Sequence, residues 1–104
     1  MSKEVARHGD SLVWTWPYFA YEATIEASAV STEVNSRKVA RVGDKTSRHL
    51  HYDLLFDEDW YWVVGTLIEG SNTVKAEGQG VCRIGDAASC GCKIITGSPD
   101  TFAE

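Results

Sequence analysis

His49-x-His51 and Cys90-x-Cys92 each place two metal-ligand side chains at alternate positions of the chain. On an extended backbone, residues i and i+2 point the same way, so each pair can offer two ligands to one ion. Imidazole and thiolate together suit tetrahedral zinc and not magnesium or calcium; a shell of four such ligands is closed and structural. The plainer reading is an exposed histidine pair and two small buried thiols. His8 is a further candidate, and Cys82 reads as a small buried residue.

The elements that must position these groups are repeats. Val5-Ala6-Arg7-His8-Gly9-Asp10 returns as Val39-Ala40-Arg41-Val42-Gly43-Asp44 and as Val81-Cys82-Arg83-Ile84-Gly85-Asp86. Each is followed by a second phrase: Ile25-Glu26-Ala27-Ser28, Ile68-Glu69-Gly70-Ser71 and Ile95-Thr96-Gly97-Ser98. Repeats of this period decide the architecture. In this register His8 falls at the position of Val42 and Ile84, which should face the core. The histidine and cysteine pairs both follow a Gly-Asp-x-x-Ser phrase, so a threefold arrangement brings them to one end of the molecule.

The units read as short strands, with β-prone runs such as Thr66-Leu67-Ile68 ended by Gly-Asp and Gly-Ser turn pairs. Residues 23–34 have some helical character, but their β-branched content and their match to the later repeat argue for strand. The expectation is a single all-β domain over residues 1–104. Repeated Arg–Asp pairs are expected to fix turns, since a catalytic site is normally built once.

The unequal spacing leaves two aromatic inserts, and Trp14, Trp16, Tyr18, Tyr21, Tyr52, Trp60, Tyr61 and Trp62 all lie in them. They either pack on one another or form a contact surface, as Trp and Tyr often do. Asp57-Glu58-Asp59 reads as a solvated turn tip.

Composition narrows the class. Over 104 residues, 43% are hydrophobic and 24% charged, as in ordinary folded chains, and the net charge of −5 argues against nucleic-acid binding. No run approaches the roughly 18 apolar residues of a membrane helix. The opening MSKEVARHGD lacks the apolar stretch of a signal peptide, which places synthesis in a cytoplasm. Three cysteines in a reducing compartment do not make a disulfide framework.

The triple Val-Ala-Arg-x-Gly-Asp, the Lys45-Thr46-Ser47 that trails the second copy and the ending Gly97-Ser98-Pro99-Asp100-Thr101-Phe102 resemble PAAR-repeat proteins, the spike tips of type VI secretion systems and contractile phage tails. With no attached effector domain, the chain looks most like the free-standing tips of contractile phages. The resemblance implies a small β cone with pseudo-threefold symmetry. It implies a protein monomeric by itself that caps a trimeric β-helical spike, one tip per trimer, and touches the target outer membrane transiently as it pierces the envelope. Its place would be the tail tip of a virion or the spike tip of a secretion machine. The spike-facing surface is expected to hold Ser28, Ser71 and Ser98 and the turns after them.

The resemblance also implies one metal near the apex, commonly zinc, with iron as the alternative. Four of His8, His49, His51, Cys90 and Cys92 would hold it. The family's frequent three-His-one-Cys set would use His8, His49, His51 and Cys90, and Cys92 competes with His8 for the fourth place. The chain departs from the family where Glu4, Lys38 and Gly80 stand at the motif's proline, Cys82 at an alanine, and Arg48 at a frequent histidine. Two other readings stand beside this one. The chain is an adaptor docking an effector or tail protein through its aromatic inserts, or a small zinc hydrolase with Glu22 or Glu69 as base.

Overall fold

The computed structural model describes residues 2–16, 19–53 and 59–104, and for strand residues 15–16, 19–21, 51–53 and 59 the backbone alone. Among these residues every regular element is a strand: β1 (Lys3–Glu4), β2 (Ser11–Trp16), β3 (Phe19–Glu26), β4 (Glu33–Val34), β5 (Arg37–Lys38) and β6 (Lys45–Thr46). There follow β7 (His49–Asp53), β8 (Asp59–Val63), β9 (Lys75–Ala76), β10 (Gln79–Gly80), β11 (Lys93–Ile94) and β12 (Phe102–Ala103). The region 23–34 is strand and loop, as the repeat match demands.

The Gly-Asp phrases form one turn three times. The backbone N–H of Arg7, Arg41 and Arg83 donates to the carboxylate of Asp10, Asp44 and Asp86, at 2.8, 2.9 and 2.9 Å. The guanidinium closes the same turn in two copies, with Nε to Oδ2 at 3.0 Å for Arg7–Asp10 and Arg83–Asp86; in the middle copy Arg41 stands 3.9 Å from Asp44. Gly9, Gly43 and Gly85 take φ of +85°, +99° and +93°, which is why this position is glycine each time. Their N–H groups donate to the carbonyls of Ile25, Leu67 and Ile94.

Those turns launch a closed ring. The Ala6 N–H donates to the Cys82 carbonyl, Cys82 to Ala40, and Ala40 back to Ala6, at 2.9, 2.9 and 3.0 Å. Flanking bridges follow the same cycle: Val5 with Arg83, Arg7 with Val39, and Arg41 with Val81. Three segments meeting on one axis leave room only for small side chains, and Ala6, Ala40 and Cys82 are fully buried. Beyond the ring, Ile25 pairs with Thr46, Leu67 with Ala88 and Ile94 with Leu12. Each repeat therefore lends a strand to the next, and the third lends one to the first. These side chains fill the main core.

Three strand pairs extend from the ring: the hairpins β4–β5 and β9–β10, and β12 paired with β1. They enclose a second cluster of Val5, Ala29, Val39, Ala76, Val81 and Ala103. The aromatic inserts are two further hairpins, β2–β3 and β7–β8. Trp14 packs on the main core, whereas Trp60, Tyr61 and Trp62 are about half exposed, at 45%, 47% and 57%. The side chains of Trp16, Tyr18, Tyr21 and Tyr52, and the turn residues Asp57 and Glu58, lie outside the described residues.

The second phrase needs one correction. Because Ile25, Leu67 and Ile94 are the equivalent residues, the counterpart of Ser71 and Ser98 is Ala29 and not Ser28. Ala29, Ser71 and Ser98 are buried, at 0%, 4% and 0% exposure, while Ser28 faces solvent. A slip of one residue along a strand exchanges its two faces. The hydroxyls of Ser71 and Ser98 are spent within the fold. Ser71 Oγ accepts from the N–H groups of Thr73 and Val74 and donates to the Glu104 carbonyl; Ser98 Oγ accepts from Asp100 and Thr101.

Candidate metal centre

His49 begins β7, directly after the turn and short strand of the second repeat. Cys90 and Cys92 occupy the tight turn between Ala88 and Lys93, where the third repeat reverses to form β11. The Gly91 N–H closes that turn on the Ala88 carbonyl at 3.0 Å, and Gly91 takes φ +92°, a conformation that turns Cys90 and Cys92 toward one another. The indole of Trp14 covers the turn, so close that a Cβ on Gly91 would stand 3.0 Å from its Cδ1.

The ligand atoms of His49, Cys90 and Cys92 all lie within 4.8 Å of one another. His49 and Cys92 are buried and Cys90 partly so. His49 Nδ1 lies 2.7 Å from the Ser47 carbonyl, which can only accept, so Nδ1 carries the proton. That leaves the Nε2 lone pair directed inward, 3.7 Å from Cys92 Sγ. A backbone carbonyl that fixes the tautomer and ring orientation in this way is the usual support of a metal-binding histidine.

The two thiols face one another and shift each other's acidity in opposite directions. The hydrogen bond from Cys92 holds the Cys90 thiol well below its ordinary range, against the opposing effect of burial. Cys92 is pushed up in turn by its bond to Cys90 and by burial. Cys90 is thus the more acidic of the pair, and the thiolate is the form that ligates metals. One imidazole nitrogen and two sulfurs form a soft donor set that can hold a metal ion, and the residues fit a thiophilic metal of the zinc type.

The centre is not threefold. Cys90 follows its turn aspartate by the same number of residues as Arg48 and Trp14 follow theirs, so one repeat alone supplies a ligand at that position. His51 lies two residues beyond His49 on β7, and its side chain is outside the described ones. His8 is elsewhere. It is exposed, its Nδ1 accepts from the Ala27 N–H at 3.1 Å, and it does not join the group. The position it shares with Val42 and Ile84 is a half-buried rim and not a core site, so an imidazole can tip outward there. Cys82 is buried on the axis, donates to the Glu69 carbonyl at 3.1 Å, and is pushed up to about 12 by burial, with Asp86 and Asp44 adding to the shift.

Gly65 was not foreseen as part of the site. A Cβ there would stand 2.6 Å from Cys90 Sγ, so the absence of a side chain at Gly65 makes room for the ligand. Glu22 and Glu69, the residues a hydrolase would use as base, are engaged otherwise: Glu22 accepts from the Ser11 hydroxyl and Glu69 from the Ala87 N–H.

No helix among the described residues is long and apolar enough to cross a membrane. None of the curated proteins matches the chain. Residues 22–96, well over half of the chain, match the PAAR motif family. With its three Gly-Asp turns closed into one ring and its His/Cys group in place, the chain belongs to the PAAR-repeat proteins, of the spike-tip kind.

Proposed function

We propose that the protein is the structural tip of a contractile injection machine, a phage tail or a type VI system, seated as one copy on a trimeric β-helical spike and driven through the target cell envelope. The observation that carries this reading is the cyclic bonding of Ala6, Ala40 and Cys82, which gives a single chain the symmetry of a three-chain partner. A trimeric spike ends in strand edges and apolar side chains, and a cap of matching symmetry removes them from solvent. The spike-facing surface is the one formed by the three strand pairs that extend from the ring. Val30, Val74 and Phe102, one beside or on each strand pair, are exposed at 88%, 40% and 53%. Ser71 and Ser98 shape the turns of that surface from inside.

The metal is zinc, held by His49, Cys90 and Cys92, with His51 as fourth ligand by strand alternation. A closed shell of this kind leaves no coordination site for turnover, so the protein is not an enzyme. The engaged carboxylates of Glu22 and Glu69 support the same reading. Mixing the protein with a trimeric β-helical spike and measuring the mass of the complex tests the proposal. One tip per trimer is expected; three tips per trimer, or no complex, overturns it.

A further inference from the structure

The aromatic hairpin β7–β8 is attached to the body in an unusual way. Its two strands pair with each other over five positions, from His49 opposite Val63 to Asp53 opposite Asp59. Among the described residues no third strand joins that sheet, and β3 is the one other strand that lies close to β7. An isolated two-stranded hairpin is marginal in water. Its root, however, is His49, and His49 faces Cys90 and Cys92, which belong to a different repeat. Val64 follows the hairpin and Gly65 packs against Cys90, so both ends of the hairpin converge on Cys90.

We infer that the metal centre acts as a clamp for this hairpin, fixing the direction in which Trp60, Tyr61 and Trp62 are presented, and not as the staple of the body. The body has its own closure. The ring through Ala6, Ala40 and Cys82 and the cyclic pairing of Ile25, Leu67 and Ile94 involve no metal ligand. The link between β7 and the third repeat, by contrast, would be supplied by an ion held by His49, Cys90 and Cys92. Arg48, stacked on the Trp62 ring at 4.6 Å, ties the entry of β7 to β8 near the root. The chain leaving β8 is joined to the third repeat by direct bonds between Thr66 and Ser89, whereas β7 has its own approach to that repeat at His49. The inference rests on the proposed metal site and adds a role for it.

Amide hydrogen exchange on the full chain, with metal bound and after chelation, tests this. Metal removal is expected to speed exchange in β7 and β8 by about tenfold or more while the amides of Ala6, Ala40, Cys82 and Leu67 keep their protection. His49→Ala should do the same to the hairpin, and Cys82→Ala should not. Equal protection of the hairpin with and without metal overturns the clamp and leaves the metal site standing. Loss of protection spread evenly over the ring overturns it too, in favour of a global staple. A purified protein that carries no metal at all defeats both the clamp and the site beneath it.

Discussion

Gly65 and Cys90 share one volume: Cys90 Sγ occupies the space that any side chain at Gly65 would take, 2.6 Å from the position of its Cβ. Gly65→Ala must therefore push the sulfur away from His49 and Cys92. We expect metal affinity to fall by about tenfold or more, the scale on which disturbed ligand supports act. Competition against a chromogenic chelator measures it. Unchanged affinity would mean that the Cys90 side chain has freedom to retreat without leaving the group.

Cys90 and Cys82 make a matched pair of substitutions. Cys90→Ala should lower the bound metal per chain to a small fraction, because one of two sulfurs is lost. Cys82→Ala should keep full metal content and cost about 1 kcal/mol or less, since alanine already stands at the other two ring positions. Elemental analysis with urea unfolding reads both. Equal metal loss in the two variants would contradict the assignment of ligands.

Asp10 is the most heavily used of the three turn carboxylates. It accepts from the N–H and guanidinium of Arg7, from the Thr96 hydroxyl and from Arg37. Burial pushes this carboxyl up, yet its bonds from Arg7 outweigh burial and hold it below the ordinary value. Asp10→Asn leaves Arg7, itself buried, short of a counter-charge and should cost about 3 kcal/mol. Asp86, with no hydroxyl donor from a neighbouring repeat among the described bonds, should cost less on the same change. Equal midpoints in denaturant would overturn this ranking.

Glu77 sets an acid limit. Its carboxylate accepts the N–H groups of Val30, Ser31 and Thr32, tying the β9–β10 turn to the loop before β4. Those bonds, the one from Val30 first, hold it at about 2, against an ordinary 4.5. A carboxyl lowered by folding stabilises the native state at pH above its unfolded value, and that contribution fades as pH falls from 4.5 toward 2. Glu77→Gln should remove this part of the acid dependence and leave the rest of the stability profile unchanged in shape. Melting temperatures measured every half unit through that window check it; parallel profiles for the two proteins would refute it.

The Gly-Asp turns could be read from the chain because the bond that closes each of them, from the arginine N–H to the aspartate three residues on, is local. Arginine, glycine and aspartate must sit at fixed offsets for the turn to close, so the pattern survives in all three copies. The second phrase misled by one residue because Ile25-Glu26-Ala27-Ser28 imitates Ile68-Glu69-Gly70-Ser71 in residue type, whereas the register is set by which carbonyl accepts from Gly9 and Gly43. The cysteine pair was legible from its spacing. That His8 stands apart from it was not, since the letters do not tell a rim position from a core one. Gly65 was invisible for a related reason: a close approach between residues 25 positions apart leaves no mark on the residues between.

The ring also constrains how the protein can form. Ala6 waits for Cys82, Ala40 waits for Ala6, and the strand at residues 3–4 waits for residues 102–103. The hairpins can pair within one repeat, but no repeat can complete its own side of the ring, so a chain still emerging from a ribosome cannot close it. Contacts so far apart in sequence are slow to find. Folding should be a late, single event that closes all three sides together, and a truncation of the last few residues should unravel the first few as readily as their own neighbours.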